Sequence, residues 1–206
     1  MWLAIRLFAM TGVLGGVLFS VTASLGEEKS PEVGDTVSEF KTLDDQGRIW
    51  NSRDHIGKRL VVVYFYPSDF AFCCTRQAQR YRDKQRDLAN FDVEVIGISG
   101  DAIETHRMFK EAHQLNHTLL SDADGSVARQ FGVPLRAGGK AMPVNANGQP
   151  LLNANGAAVQ IPRDFSAARW TFVIDRNGRI IYREADVSPK RDIQEVLEFL
   201  CEHSSQ

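Results

Sequence analysis

Two adjacent cysteines, Cys73 and Cys74, stand in the stretch FYPSDFAFCCTRQ, residues 65 to 77, just past an apolar run and a proline. A cysteine attacks as its thiolate, and a thiol with the ordinary pKa of about 8.5 is only a few per cent ionised near neutral pH. Chemistry here therefore needs something that favours the anion. The first turn of a helix supplies unpaired N–H groups and a positive dipole end. A permanent cation adds to that, and each unit of pKa lowering corresponds to about 1.4 kcal/mol in favour of the thiolate. Both sulfurs lie where a strand gives way to a helix, so local physics does not choose between them. A disulfide between neighbours closes a cramped, strained ring, which suggests different jobs for the two. The third cysteine, Cys201, falls beside an apolar helical stripe and reads as a small buried apolar residue.

The elements that must position these sulfurs follow from the pattern around them. LVVVYFY (60 to 66) is a β-branched and aromatic run of strand length, as expected of a strand covered on both faces, and is read as the central strand. Pro67 stops it, and a helix opens near residue 74 with Ala78, Tyr81, Leu88 and Phe91 on one apolar face. Its basic stretch, RQAQRYRDKQR, is interleaved with Asp83 and Asp87 and reads as a solvated face. VEVIGIS (93 to 99) is the next buried strand. AIETHRMFKEAHQL follows as a helix packed through Ile103, Phe109, Ala112 and Leu115, then HTLLSD as a short strand and SVARQFGV as a short helix. The alternation predicts an α/β sheet with parallel neighbours.

Upstream, KTLDDQGRIWNSRDHIGK has turn residues at Asp45 to Gly47 and reads as a small hairpin. Residues 134 to 165 lack helical period and carry NANG twice, at 145 and 153, which predicts an inserted hairpin or a long surface loop. RWTFVID and RIIYREAD flank RNG as a further hairpin. The last helix is expected to start with a Ser188 cap and Pro189 in its first turn, and to pack through Ile193, Val196, Leu197 and Leu200.

With 206 residues, 43% of them hydrophobic and 24% charged, the chain suits one sizeable core rather than a disordered or fibrous protein. A net charge of -2 offers nothing to nucleic acid. Three cysteines are too few for a disulfide scaffold. Residues 1–26 carry one charge, Arg6, then an apolar run ending in small residues, with Val21 and Ala23 fitting a cleavage site. They read as a secretory signal, the alternative being an uncleaved membrane anchor. The expected organisation is thus a leader over 1–26 and a folded domain over 27–206 that is exported, periplasmic or extracellular. The five histidines show no metal-ligand spacing with the cysteines, and no Gly-rich phosphate loop follows a strand. No metal and no cofactor are expected.

From about Gly34 to its end the chain resembles a peroxiredoxin, especially the bacterioferritin-comigratory type. GKRLVVVYFYPSDF, VIGISGDAIETHRMFKEAHQLNHTLLSDADGSVARQFGV and RWTFVID carry the resemblance. The family motif runs Pro, three residues, Thr or Ser, two residues, then the peroxide-attacking Cys. Counted from Pro67, the attacking residue is Cys74, and Cys73 falls where the family has Gly or Val, leaving it as a possible redox partner. The family's catalytic arginine, just ahead of TFVID, maps onto Arg169 and would stabilise the thiolate and the peroxide oxygens, while Pro67 would shield the pocket. Two positions depart from the pattern: Ala71 stands at the hydroxyl position, and Gln79 where many relatives carry a resolving cysteine.

The resemblance implies a thioredoxin-like α/β fold, a mixed central sheet flanked by helices. It implies a thiol peroxidase that takes a hydroperoxide and is recycled by an external thiol reductant such as a thioredoxin-like protein, acting as a monomer or homodimer. Two other readings compete. One is an exported thiol-disulfide oxidoreductase, which would use Cys-x-x-Cys where this chain has adjacent sulfurs. The other is a binding domain that kept the fold after Ala71 replaced the hydroxyl.

Overall fold

The computed structural model describes residues 30–145 and 147–204, so the leader over 1–26 lies outside the described residues. β1 (Lys41–Asp44) and β2 (Ile49–Asn51) pair antiparallel across the Asp45 to Gly47 turn. Gly47 takes φ 78° there, a conformation that costs a residue without Cβ little. The apolar run forms β3 (Leu60–Phe65), and beyond Pro67 come α1 (Phe72–Asp83) and the short α2 (Gln85–Ala89). β4 (Val93–Ser99), α3 (Ile103–His113), β5 (Thr118–Ser121) and α4 (Ser126–Gln130) continue the alternation. β6 (Leu135–Ala141) and β7 (Ile161–Ala167) pair with each other as a separate two-stranded sheet. β8 (Trp170–Ile174), β9 (Ile180–Glu184) and α5 (Asp192–Ser204) complete the chain.

Seven strands share one mixed sheet in the order β2-β1-β5-β4-β3-β8-β9. β3, β4 and β5 run parallel to one another, whereas β8 lies antiparallel to β3 and β9 antiparallel to β8. This is the mixed sheet of a thioredoxin-like α/β fold. β4, not β3, holds the middle place. An apolar run reports cover on both faces rather than position in the sheet, and both strands have that cover.

The two-residue period of β3 divides the core. Val62, Tyr64 and, just past the strand, Tyr66 join Tyr81 of α1, Phe109 of α3 and Leu200 of α5 on one face. Val61, Val63 and Phe65 join Phe40, Trp50 and Phe131 on the other. The apolar face expected of one helix is divided at Lys84, with Ala78 and Tyr81 in α1, Leu88 in α2 and Phe91 in the turn beyond. The buried residues of α3 are Thr105, His106 and Phe109, while Ile103 is only half-buried.

Two expectations about the last helix fail. Ser188 and Pro189 lie in a turn ahead of α5 rather than in its first turn, since the helix begins only at Asp192; the N–H groups of Arg191 and Asp192 both bond the Ser188 carbonyl. Ser followed by Pro suits a tight turn as well as a helix start. Cys201 is exposed, not buried. Leu197 already marks the edge of the apolar stripe at 8% exposure, and Cys201 lies one turn further along that edge.

Candidate active site

The loop from Pro67 to Ala71 carries the chain from the end of β3 into α1. Ala71 is the N-cap residue, with extended backbone and no side-chain capping bond. Cys73 and Cys74 therefore occupy the second and third positions of the first helical turn, about 100° apart around the axis. That rotation separates them: Cys73 points outward and is exposed, while Cys74 is 2% exposed within the core face that holds Ala78 and Tyr81.

Arg169, immediately ahead of β8, reaches this sulfur. Its Nη2 donates to Cys74 Sγ at 3.1 Å, and its Nη1 donates to Gln77 Oε1. Gln77 in turn donates from Nε2 to Asp192 Oδ2 at 2.5 Å, and Asp192 also accepts from the Tyr81 hydroxyl at 2.8 Å. Cys74, Gln77 and Tyr81 follow one another at helical spacing on α1, so one face presents the sulfur, the amide that holds its cation and the hydroxyl that bonds Asp192 behind that amide. Asp192, at the start of α5, closes the chain of bonds. Burial pushes its carboxyl above the ordinary range, against the bonds from Gln77 and Tyr81 that draw it down.

Two opposed effects set the thiol. Burial pushes the Cys74 pKa up, while the charge and hydrogen bond of Arg169 and a backbone hydrogen bond from Ser68 pull it down, and burial prevails. The helix turn and the cation were legible in the sequence; the extent of burial was not. The cation thus offsets a burial cost instead of producing an unusually acidic thiol.

Below the loop lies a buried ionic cluster. Asp69 accepts from the Tyr66 hydroxyl at 2.8 Å and from His106 Nδ1 at 2.7 Å, and its backbone N–H donates to Asp101 Oδ2 at 2.8 Å. Asp101 also accepts from Ser99 Oγ at 2.8 Å. Burial alone would lower the His106 pKa, but the Asp69 carboxylate outweighs it and the imidazole is held in favour of its charged form. Burial, followed by the Asp69 charge, pushes Asp101 up to about 6. Sequence reasoning did not reach Gln77, Asp192, Asp69, Asp101 or His106. The spacing from Cys74 to Gln77 and Tyr81 was the one available signal.

Pro67 is half-buried at the head of the loop. Ala71 is exposed and offers a methyl where the motif asks for a hydroxyl. Of the two nearby hydroxyls, Ser68 is already engaged: its Oγ donates to the Asp69 carbonyl at 2.8 Å and accepts from Arg163 Nη1 at 2.8 Å. Thr75 is half-buried one position past the sulfur. Ala71→Thr is therefore expected to do two things at once. A preorganised donor at developing charge commonly contributes about 10² to 10³ in rate, so oxidation of Cys74 by hydrogen peroxide should become at least about tenfold faster, a discounted share of that range. A side-chain N-cap should also stabilise the fold by about 0.5–2 kcal/mol. Stopped-flow fluorescence of Trp170 and urea titration measure the two separately. A more stable variant that is no faster would show that a hydroxyl at 71 serves only the helix.

Among the described residues, no group of three or more His, Cys, Asp or Glu is arranged to hold a metal ion.

Residues 33–183 match the AhpC/TSA family. A chloroplastic peroxiredoxin Q from Suaeda salsa is 34% identical over 183 residues, covering 88% of this chain and 70% of its own. A putative peroxiredoxin bcp from Coxiella burnetii is 40% identical over 104 residues, covering 50% of this chain and 68% of its own. Across three chloroplastic relatives, the matched region spans 65% to 76% of their length. Among solved structures, peroxidoxin BcpB from Mycobacterium tuberculosis superposes with a TM-score of 0.65 at 28% identity, covering 83% of this chain and 97% of that one.

Proposed function

We propose, on the premise that this chain belongs to the AhpC/TSA family, that it is a thiol-dependent peroxidase reducing hydrogen peroxide or an alkyl hydroperoxide through Cys74. The observation that carries this reading is the hydrogen bond from Arg169 Nη2 to Cys74 Sγ in the first turn of α1. The thiolate attacks one peroxide oxygen, an S–O bond forms as the O–O bond breaks, and the sulfur becomes a sulfenic acid. The departing oxygen takes up a proton and leaves as water or alcohol. Arg169 stabilises the anion before attack and the charge on oxygen during it. Pro67 holds the loop and shields the pocket.

Recycling requires two thiols. The first condenses with the sulfenic acid, releasing water and leaving a mixed disulfide; the second displaces Cys74 from it. With Gln79 at the position many relatives use for a resolving cysteine, an external reductant of the thioredoxin-like class fits best. Cys73 is exposed beside the attacking residue and is the nearest internal alternative. The apolar leader supports a periplasmic or extracellular location, with the domain acting as a monomer or homodimer.

The test is consumption of hydrogen peroxide by the purified chain with excess dithiol, run beside reduction of insulin. Peroxide loss with intact insulin is expected. Insulin reduction without peroxide loss would assign the chain to disulfide exchange, and neither activity would assign it to binding.

A further inference from the structure

We infer that Arg163, on the inserted β6–β7 hairpin, is a positioning residue for the Cys74 thiolate that acts through Ser68; the inference rests on the reading of Cys74 as the attacking sulfur.

The hairpin is fastened over the loop by two neighbouring side chains of β7. Phe165 seats its ring against two glycines that follow sheet strands: a Cβ built at Gly100 or at Gly125 would lie 3.0 Å from that ring, tighter than ordinary contact. Two residues earlier, on the same face of the strand, Arg163 spreads its guanidinium. Nη1 donates to Ser68 Oγ at 2.8 Å and lies 3.8 Å from Asp101 Oδ1, and Nε donates to Ser166 Oγ at 3.0 Å. Its side chain is only 11% exposed.

Ser68 is the point where this reaches the chemistry. Its backbone supplies one of the hydrogen bonds that favour the Cys74 thiolate. Its hydroxyl, held by Arg163, bonds the Asp69 carbonyl, and Asp69 is held from below by Tyr66 and His106. The segment 68–69 is thus gripped between the hairpin and the ionic cluster. In that cluster Arg163 and His106 face Asp69 and Asp101, two cations against two carboxylates, so the guanidinium belongs there electrically as well as sterically. Arg169 touches the sulfur; Arg163 fixes the backbone donor beside it. With no hydroxyl at residue 71, that donor carries more of the burden, and small displacements of a preorganised group weaken what it stabilises.

The experiment compares wild type with Arg163→Met, Arg163→Lys, Ser68→Ala and the Arg163→Met/Ser68→Ala double variant. The readouts are the pH midpoint of Cys74 alkylation by iodoacetamide, resolved from Cys73 by fragment mass spectrometry, and the rate of Cys74 oxidation by hydrogen peroxide. Arg163→Met should raise the midpoint by about half a pH unit or more and slow oxidation about threefold to tenfold. Lysine keeps the charge but cannot span Ser68 and Ser166 with one nitrogen, so it should recover less than half of the shift. Ser68→Ala should move the midpoint in the same direction, and the double variant should go no further than the larger single change, as for two members of one unit. An unchanged midpoint in Arg163→Met, full recovery by lysine, or additive effects in the double variant would overturn the inference. Alkylation requires no peroxide, so a chain inert to peroxide would remove the peroxidase reading while the midpoints still decide the role of Arg163.

Discussion

Cys74→Ser is expected to bring peroxide consumption down to the uncatalysed baseline. The substitution is nearly isosteric, so the buried position, the Arg169 contact and the first turn of α1 should all survive; what disappears is an atom that can form a thiolate and be oxidised by two electrons. Cys73 is not equipped to take over. It is exposed, a third of a turn round the helix, and Arg169 donates to its neighbour. Cys201→Ser should leave consumption nearly intact. Cys201 shares a surface depression with Lys84 and Asp87 at the far end of α1. Ten residues of helix rise separate that end from Cys74, roughly 15 Å. Stopped-flow oxidation followed by mass spectrometry after one equivalent of peroxide checks the assignment. Loss of the fast phase in Cys73→Ser, together with its retention in Cys74→Ser, would move the attack to the other sulfur.

What could be read beforehand divides along physical lines. β3 and β4 announce themselves because a strand covered on both faces is apolar at every position, and the hairpin of β8 and β9 because RNG leaves the backbone few other options, with Gly178 at φ 76°. Cys74 and Arg169 were reachable because the motif is local in sequence around Pro67 and TFVID. The supporting shell was not. Gln77 and Asp192 are 115 residues apart, and Arg163 and Ser68 are 95 apart. Each of these side chains is polar, and a periodicity argument assigns polar residues to the surface. α3 shows the consequence: Phe109 and Leu115 are buried as expected, but Ile103 and Ala112 are only half-buried, while Thr105 and His106 are fully buried on the same segment. The pattern of apolar residues locates the sheet and its cover, but the polar contacts that aim the sulfur and its cation depend on which distant loops meet at the end of β3.

Arg169→Met should slow Cys74 oxidation by about 10²-fold near neutral pH, the cost of losing one preorganised group at developing charge. Methionine approximates the length of the replaced stem and leaves Cys74 buried, so the effect isolates the guanidinium. The sign of the pH dependence follows from the balance at the sulfur. Burial holds the thiol pKa up and Arg169 pulls it down; without Arg169, the midpoint of alkylation must move to higher pH and less thiolate is present at any pH below it. The two reactions then separate. Once the pH exceeds the new midpoint, alkylation should return toward the wild-type plateau, because iodoacetamide asks only for a thiolate. Peroxide oxidation should remain slow there, because the departing oxygen has lost its stabiliser as well. Arg169→Lys should behave more like Met than like wild type, since one ammonium cannot serve both Cys74 Sγ and Gln77 Oε1 as the planar fork does. An alkylation profile identical to wild type would reduce Arg169 to a structural tie between α1 and β8. A peroxide rate that recovers fully at high pH would confine its role to ionising the thiol.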